Sequence, residues 1–198
     1  MIGWLMKKIK LTNIIRVSSL VILTSSVFAL SSVLETEEQL KAIERAHTAT
    51  GDLKLNFRRT LKEELDKGGP AKALPACRVK APKITNKSLG ESQVIRLGRA
   101  SHRIRNPLNI PPDWVKPYLE KFSQANTSDI PKHVLVELNP HRYGYIEPIF
   151  VEPICLNCHG QDLGKELREA ILKDYPLDNA TGFKAGEFRG LLWLEMKK

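Results

Sequence analysis

Cys155 and Cys158, followed at once by His159, carry the sharpest chemistry in this chain. Two thiols at this spacing fall on one short turn, where each can add to a vinyl group of haem. The next residue supplies an imidazole for the iron. A Cys-x-x-Cys pair alone also serves thiol–disulfide exchange, usually at the start of a helix that follows a strand. A structural disulfide or a zinc site uses the same residue types. His159 and Gly160 directly behind the second cysteine favour one haem c per chain, covalently attached. Zinc would draw further ligands from His141, His133 or Cys77, and none of them stands at a familiar finger spacing.

The second axial position is open to Cys77, His47, His102, His133, His141 and Met196. A thiolate is a strong donor to iron, and Arg78 and Lys80 beside Cys77 favour the ionised sulfur. The alternative for Cys77 is an inert buried side chain. Arg103 and Arg105 alternate, so an extended backbone would turn both guanidiniums to one side, as haem propionates require. A solvated basic loop is the competing reading of the same residues.

Residues Met1 to Arg16 are basic, and Val17 to Leu30 form a mostly apolar run that ends on Val27, Phe28 and Ala29. This is the pattern of an export signal cut after Ala29, with an uncleaved membrane anchor as the alternative. The expectation is a segment 1–29 that is signal or anchor, one domain over 30–198, and a periplasmic or otherwise extracytoplasmic setting. Three cysteines in an oxidising compartment leave one unpaired in any disulfide framework, whereas thioethers at Cys155 and Cys158 leave only Cys77. The net charge of +9 draws four positive charges from Lys7, Lys8, Lys10 and Arg16. The remaining basic residues are interspersed with acids and form no zinc-finger or RNA-binding signature, which argues against nucleic acid.

The elements that must position the motif follow from periodicity. Leu40, Ile43, Ala46 and His47, then Leu53, Phe57, Leu61 and Leu65, recur at helical spacing over Glu35–Lys67. Thr36 and Gln39 form a capping box, Gly51 is a candidate break, and Gly68-Gly69-Pro70 a stop. Ala71 to Ile84 reads as a short helix presenting Cys77. A strand is expected around Ile95 and Leu97, and an amphipathic helix over Trp114–Phe122 with Pro117 in its first turn. Strands over Val134–Leu138 and Tyr143–Val151 lead into the cysteine motif. A helix over Leu163–Leu172 and a last strand over Arg189–Leu194 complete an α+β domain with an antiparallel sheet. Tyr143, Tyr145 and Phe150 are assigned to the core, and His47 to a structural role. There is no internal repeat, phosphate-binding glycine loop, nucleophilic triad or evident acid–base pair, so no enzyme is expected.

Four segments in one order resemble the Tll0287-like haem domain family. They are Leu74-Pro-Ala-Cys77-Arg-Val-Lys-Ala-Pro82, Arg103-Ile-Arg-Asn-Pro-Leu-Asn109 with Pro112 and Trp114, Glu152-Pro-Ile-Cys-Leu-Asn-Cys-His-Gly160, and Tyr175-Pro-Leu-Asp-Asn-Ala-Thr-Gly-Phe183 running to Gly186-Glu-Phe-Arg-Gly190. The resemblance implies a PAS-like fold, a central antiparallel sheet with surrounding helices. It also implies one c-type haem ligated by His159 and by Cys77. For function it implies redox or small-ligand sensing or electron transfer; the expectation taken is sensing, with a separate output protein as partner and a gas as ligand to the reduced haem. The alternatives are a low-potential one-electron carrier with a redox partner protein and, ranked lower, a non-haem interaction domain. Peripheral or anchored membrane association and a homodimer are compatible with all three.

Overall fold

The structure, a computed structural model, describes residues 14–75, 79–87 and 93–198. The chain divides into two compact units, Met1–Lys41 and Ala42–Lys198. In the first, the described residues are helical and Lys41 pairs with Glu37 one turn away. Among the described residues no helix is long and apolar enough to cross a membrane.

Helix α1 (Ile14–Pro75) runs through Thr36 and through Gly51, so neither the expected cap nor the expected break is present. A helical glycine costs only about 1 kcal/mol. Ala42, Ala46, Ala49 and Leu53 continue one buried face straight across Gly51, and their packing outweighs that cost. The break falls instead at Gly68 and Gly69, where Gly69 takes φ 75, a conformation that glycine adopts without steric penalty. Of the expected helix over Ala71–Ile84, the described residues, 71–75 and 79–84, are helical. The last turn of α1 ends at Pro75, residues 76–78 lie outside the described set, and α2 (Ala81–Lys87) follows the helical residues 79–80 with Pro82 in its first turn.

In the second unit four antiparallel strands, β1 (Val94–Ala100), β2 (Val134–Asn139), β3 (Arg142–Phe150) and β4 (Phe188–Lys197), form one sheet in the order β1-β4-β3-β2. β4 is therefore a central strand, and its long apolar run is explained by burial on both faces. On one face Leu192, Leu194 and Met196, with Tyr143 and Tyr145, meet the alanine face of α1. On the other, Leu191 and Trp193 pack with Val115 and Phe122 from the Asp113–Val115 turn and α3 (Lys116–Gln124). This is the expected α+β arrangement, a PAS-like central sheet flanked by helices. Pro117 stands in the first turn of α3, as its fixed φ and missing N–H demand.

Tyr143 and Tyr145 are core residues, as expected. His47 sits edge-on to His133 at 5.1 Å and to Tyr145 at 5.6 Å, which accords with its structural assignment. Burial, and secondarily Glu147, raise the Tyr145 phenol above its ordinary pKa.

Candidate functional site

β3 ends at Phe150, and Val151 is tied in both directions to the approach of β4, through Val151 N–Glu187 O (2.9 Å) and Gly186 N–Val151 O (2.8 Å). The chain then turns through Pro153–Cys155 into the single helical turn α4 (Leu156–His159), so sheet and cysteine motif are adjacent. Cys155 is half-buried and Cys158 is buried. Cys158 belongs to an apolar cluster with Leu74 and with Leu167, Ile171 and Tyr175 of α5 (Lys165–Asp174) and its end. The Leu167/Ile171 face of α5 is thus the surface on which the motif rests.

Three loops are laced together around His159. Its Nδ1 lies 2.5 Å from the carbonyl oxygen of Ala180. A carbonyl can only accept, so Nδ1 carries the proton and Nε2 keeps its lone pair. Burial, assisted by Arg189 and Arg105, holds the imidazole pKa down to about 3 against the opposing pull of Ala180 and Asp178. A neutral imidazole with one nitrogen anchored on a backbone carbonyl is the form in which histidine ligates metals. Behind it, Phe183 N donates to His159 O (2.9 Å) and Gly182 N to Gly160 O (2.8 Å).

Arg103 and Arg105 lie in an irregular segment, not a strand, and their guanidiniums are used differently. Arg105 is nearly buried. Its Nε and Nη2 donate to the two carboxylate oxygens of Asp178 at 3.0 and 3.1 Å, and Nη2 also donates to the carbonyl of Cys158 at 2.7 Å. Asp178 in turn accepts from the backbone N–H of Ala180 at 3.0 Å. This pair braces the cysteine turn and the His159 acceptor at once. Arg103 lies over the ring of Phe183 at 4.2 Å and donates from Nε to Asn179 O at 3.1 Å.

Arg189 and Phe183 enter the site without having been singled out from the sequence. Phe183 stands edge-on to His159 at 6.4 Å and to His102 at 6.0 Å. Arg189 lies over the same ring at 5.0 Å. Burial, then Arg105 and Arg99, lower its pKa to about 10. Burial, then Arg189 and Arg103, lower that of His102. The Gly186–Gly190 segment was legible as part of the family resemblance and as the approach to the strand over Arg189–Leu194, with no role assigned to its side chains. His47 and His133 share the cluster around Tyr145 rather than the His159 neighbourhood. Cys77 lies outside the described residues.

Fold and site together define a PAS-like α+β domain with a Cys-x-x-Cys-His turn at the exit of its third strand. The chain matches the Tll0287-like family over residues 26–196 and belongs to it. Its fold is similar to that in the crystal structure of the cyanobacterial heme-protein Tll0287, with a TM-score of 0.60 and 22% identity over 80% of this chain and 96% of that one. No curated protein matches the chain.

Proposed function

We propose that the chain is an exported mono-haem c-type protein that senses redox state or a small ligand. The observation that carries this reading is the bond between His159 Nδ1 and the Ala180 carbonyl, which leaves a neutral imidazole with a free Nε2 lone pair beside two cysteines of one turn. That donor set fits a haem. Cys155 and Cys158 would hold it through thioethers, and His159 Nε2 would ligate the iron. Cys77 is the proposed opposite ligand. The burial of Leu74 in the Cys158 cluster supports a short reach from that segment to the motif. Arg103 and Arg105 are the proposed cations near the propionates, with Arg105 acting chiefly through its brace beneath Cys158.

When bound, the haem supplies a one-electron ferric–ferrous couple and, if an axial side opens, a place for a small gas. The anionic sulfur of Cys77 favours the ferric state. The proposed response is release of Cys77 on reduction, moving the segment between Leu74 and Ala81. No acid–base pair is assigned, and the proposed role is not enzymatic. Family membership and a fold shared with a solved heme-protein support the cofactor. The basic, then apolar N-terminal run supports an extracytoplasmic setting, with the segment either removed or kept as an anchor. The proposed partner is a separate output protein, which the net positive charge that remains after subtracting Lys7, Lys8, Lys10 and Arg16 from the +9 would help to steer if it is acidic.

A redox titration of the mature protein, followed by optical and electron-spin spectroscopy with carbon monoxide added to the reduced form, tests this reading. Sensing predicts a thiolate signature that disappears on reduction, with gas binding. A reduced haem that stays six-coordinate and refuses the gas moves the assignment to a one-electron carrier. A chain that never acquires covalent haem overturns the reading and leaves an interaction domain. Cys77→Ser is expected to keep the covalent haem and change the ferric spectrum; an unchanged spectrum in the folded variant removes Cys77 as ligand.

A further inference from the structure

The start of β4 is irregular. Ile149 pairs with Gly190 and Phe150 with Phe188, so Arg189 is an extra residue that no partner opposes. The side-chain alternation records the same event. Phe188 and Leu191, three positions apart, pack in one core cluster, which a regular strand forbids. Gly190 enforces the bulge. Its φ is 152, and a Cβ there would stand 2.1 Å from the carbonyl oxygen of Ala100. A bulge of this kind re-aims one side chain, and here that side chain is Arg189.

The guanidinium so delivered is held but not neutralised. Arg189 Nη1 donates to the Ser101 hydroxyl and, at 3.2 Å, to the Arg103 carbonyl. Arg103 donates to the Asn179 carbonyl. All of these acceptors are uncharged. Among the described residues neither Arg103 nor Arg189 forms an ion pair; Asp178 is committed to Arg105 and to Ala180 N–H, and Glu187 accepts from Lys184 N–H. Both guanidiniums lie over the ring of Phe183, the ring that stands edge-on to His159. Two half-buried cations, fixed beside the site with no anion of their own, are placed to receive an anion from a ligand.

We propose that Arg189 and Arg103 form a carboxylate clamp for the ligand held at Cys155, Cys158 and His159, taking a propionate of the tetrapyrrole, while Arg105 serves the loop. The inference rests on the haem reading given above and adds to it a residue, Arg189, and a division of labour among the arginines. The backbone bulge is the device that makes the clamp, since a regular strand would send residue 189 to the opposite face.

The test uses the full chain prepared without covalent haem, titrated with ferric haem and with its dimethyl ester, in which both carboxylates are masked. The unmodified chain is expected to prefer the free acid by about tenfold or more, the size of one charge-assisted hydrogen bond. Arg189→Gln should erase most of that preference, Arg103→Gln part of it, and Arg189→Lys should retain some. Equal affinity of the unmodified chain for acid and ester overturns the clamp even if no variant folds, and so does an undiminished preference in folded Arg189→Gln. Mass spectrometry of the chain co-expressed with haem-attachment enzymes separates the two claims. Covalent haem without ester discrimination defeats the clamp alone; no covalent haem and no binding of either porphyrin defeats the clamp and the haem reading together.

Discussion

The sheet and the loop layer that carries His159 are held by different means, as their two buried carboxylates illustrate. Glu195 of β4 accepts from Arg96 Nη1 (2.9 Å) and Trp114 Nε1 (3.1 Å), with Arg142 at 4.0 Å. Its partners sit in β1, in β3 and in the turn before α3. The two strands are already fixed by ladders, and all three segments contribute to the apolar packing of the sheet. Asp178 instead joins Arg105, Ala180 and, through Arg105, Cys158, all in segments without ladders of their own. The sheet distributes its stability over many replaceable contacts, whereas the site layer concentrates its geometry in one ion pair and a few backbone bonds.

The largest effect is therefore expected at Asp178. Asp178→Ala leaves Arg105 nearly buried without its counter-charge and should cost about 3–5 kcal/mol in urea denaturation. The folded fraction should also show an altered environment at His159 by proton resonance. A loss no greater than that of a single neutral hydrogen bond would show that the loop layer does not depend on this junction. Leu194→Ala, in the centre of the sheet, should cost about 3 kcal/mol while leaving the His159 signal of the folded fraction in place. A disturbed His159 signal there would erase the distinction between the two regions. Thr50→Val removes the 2.7 Å bond to Glu147 on the α1 face and should cost about 1 kcal/mol. Leu177→Ser, at a residue 89% exposed beside Asp178, should change stability by less than about 0.5 kcal/mol. A larger change would mean that this loop draws on more than the polar contacts described.

The strands were legible because β2 and β3 carry strand-forming residues between clear turn signals, and the amphipathic run after Trp114 gave α3. Gly51 misled because its local cost is smaller than the tertiary packing of Ala46, Ala49 and Leu53 around it. At the site, Cys155, Cys158 and His159 were readable because the chemistry needs them contiguous. Arg103 and Arg105 were readable as residues but not in direction. The carboxylate that turns Arg105 is 73 residues away in the chain, and no local pattern announces it. Arg189 was hidden for a related reason. A bulge breaks the period-two alternation on which strand reading depends, and its cause, the close approach of Gly190 to Ala100, is a contact between strands. Cys77 was legible as chemistry, and it lies outside the described residues.

In the order β1-β4-β3-β2, only β2 and β3 are both paired in the sheet and joined by a short turn. β2 and β3 can zip as a local hairpin, but β1 touches neither of them and must wait for β4, the last of the four strands in the chain. The ties from Val151 to Gly186 and Glu187 wait with it, as does the bulge that aims Arg189. Cys155 and Cys158 follow directly on β3, and the cluster of Leu74, Leu167, Ile171 and Tyr175 leaves only 8% of Cys158 accessible. Any reaction at the Cys158 sulfur that needs free approach from outside thus belongs to the interval before that cluster packs.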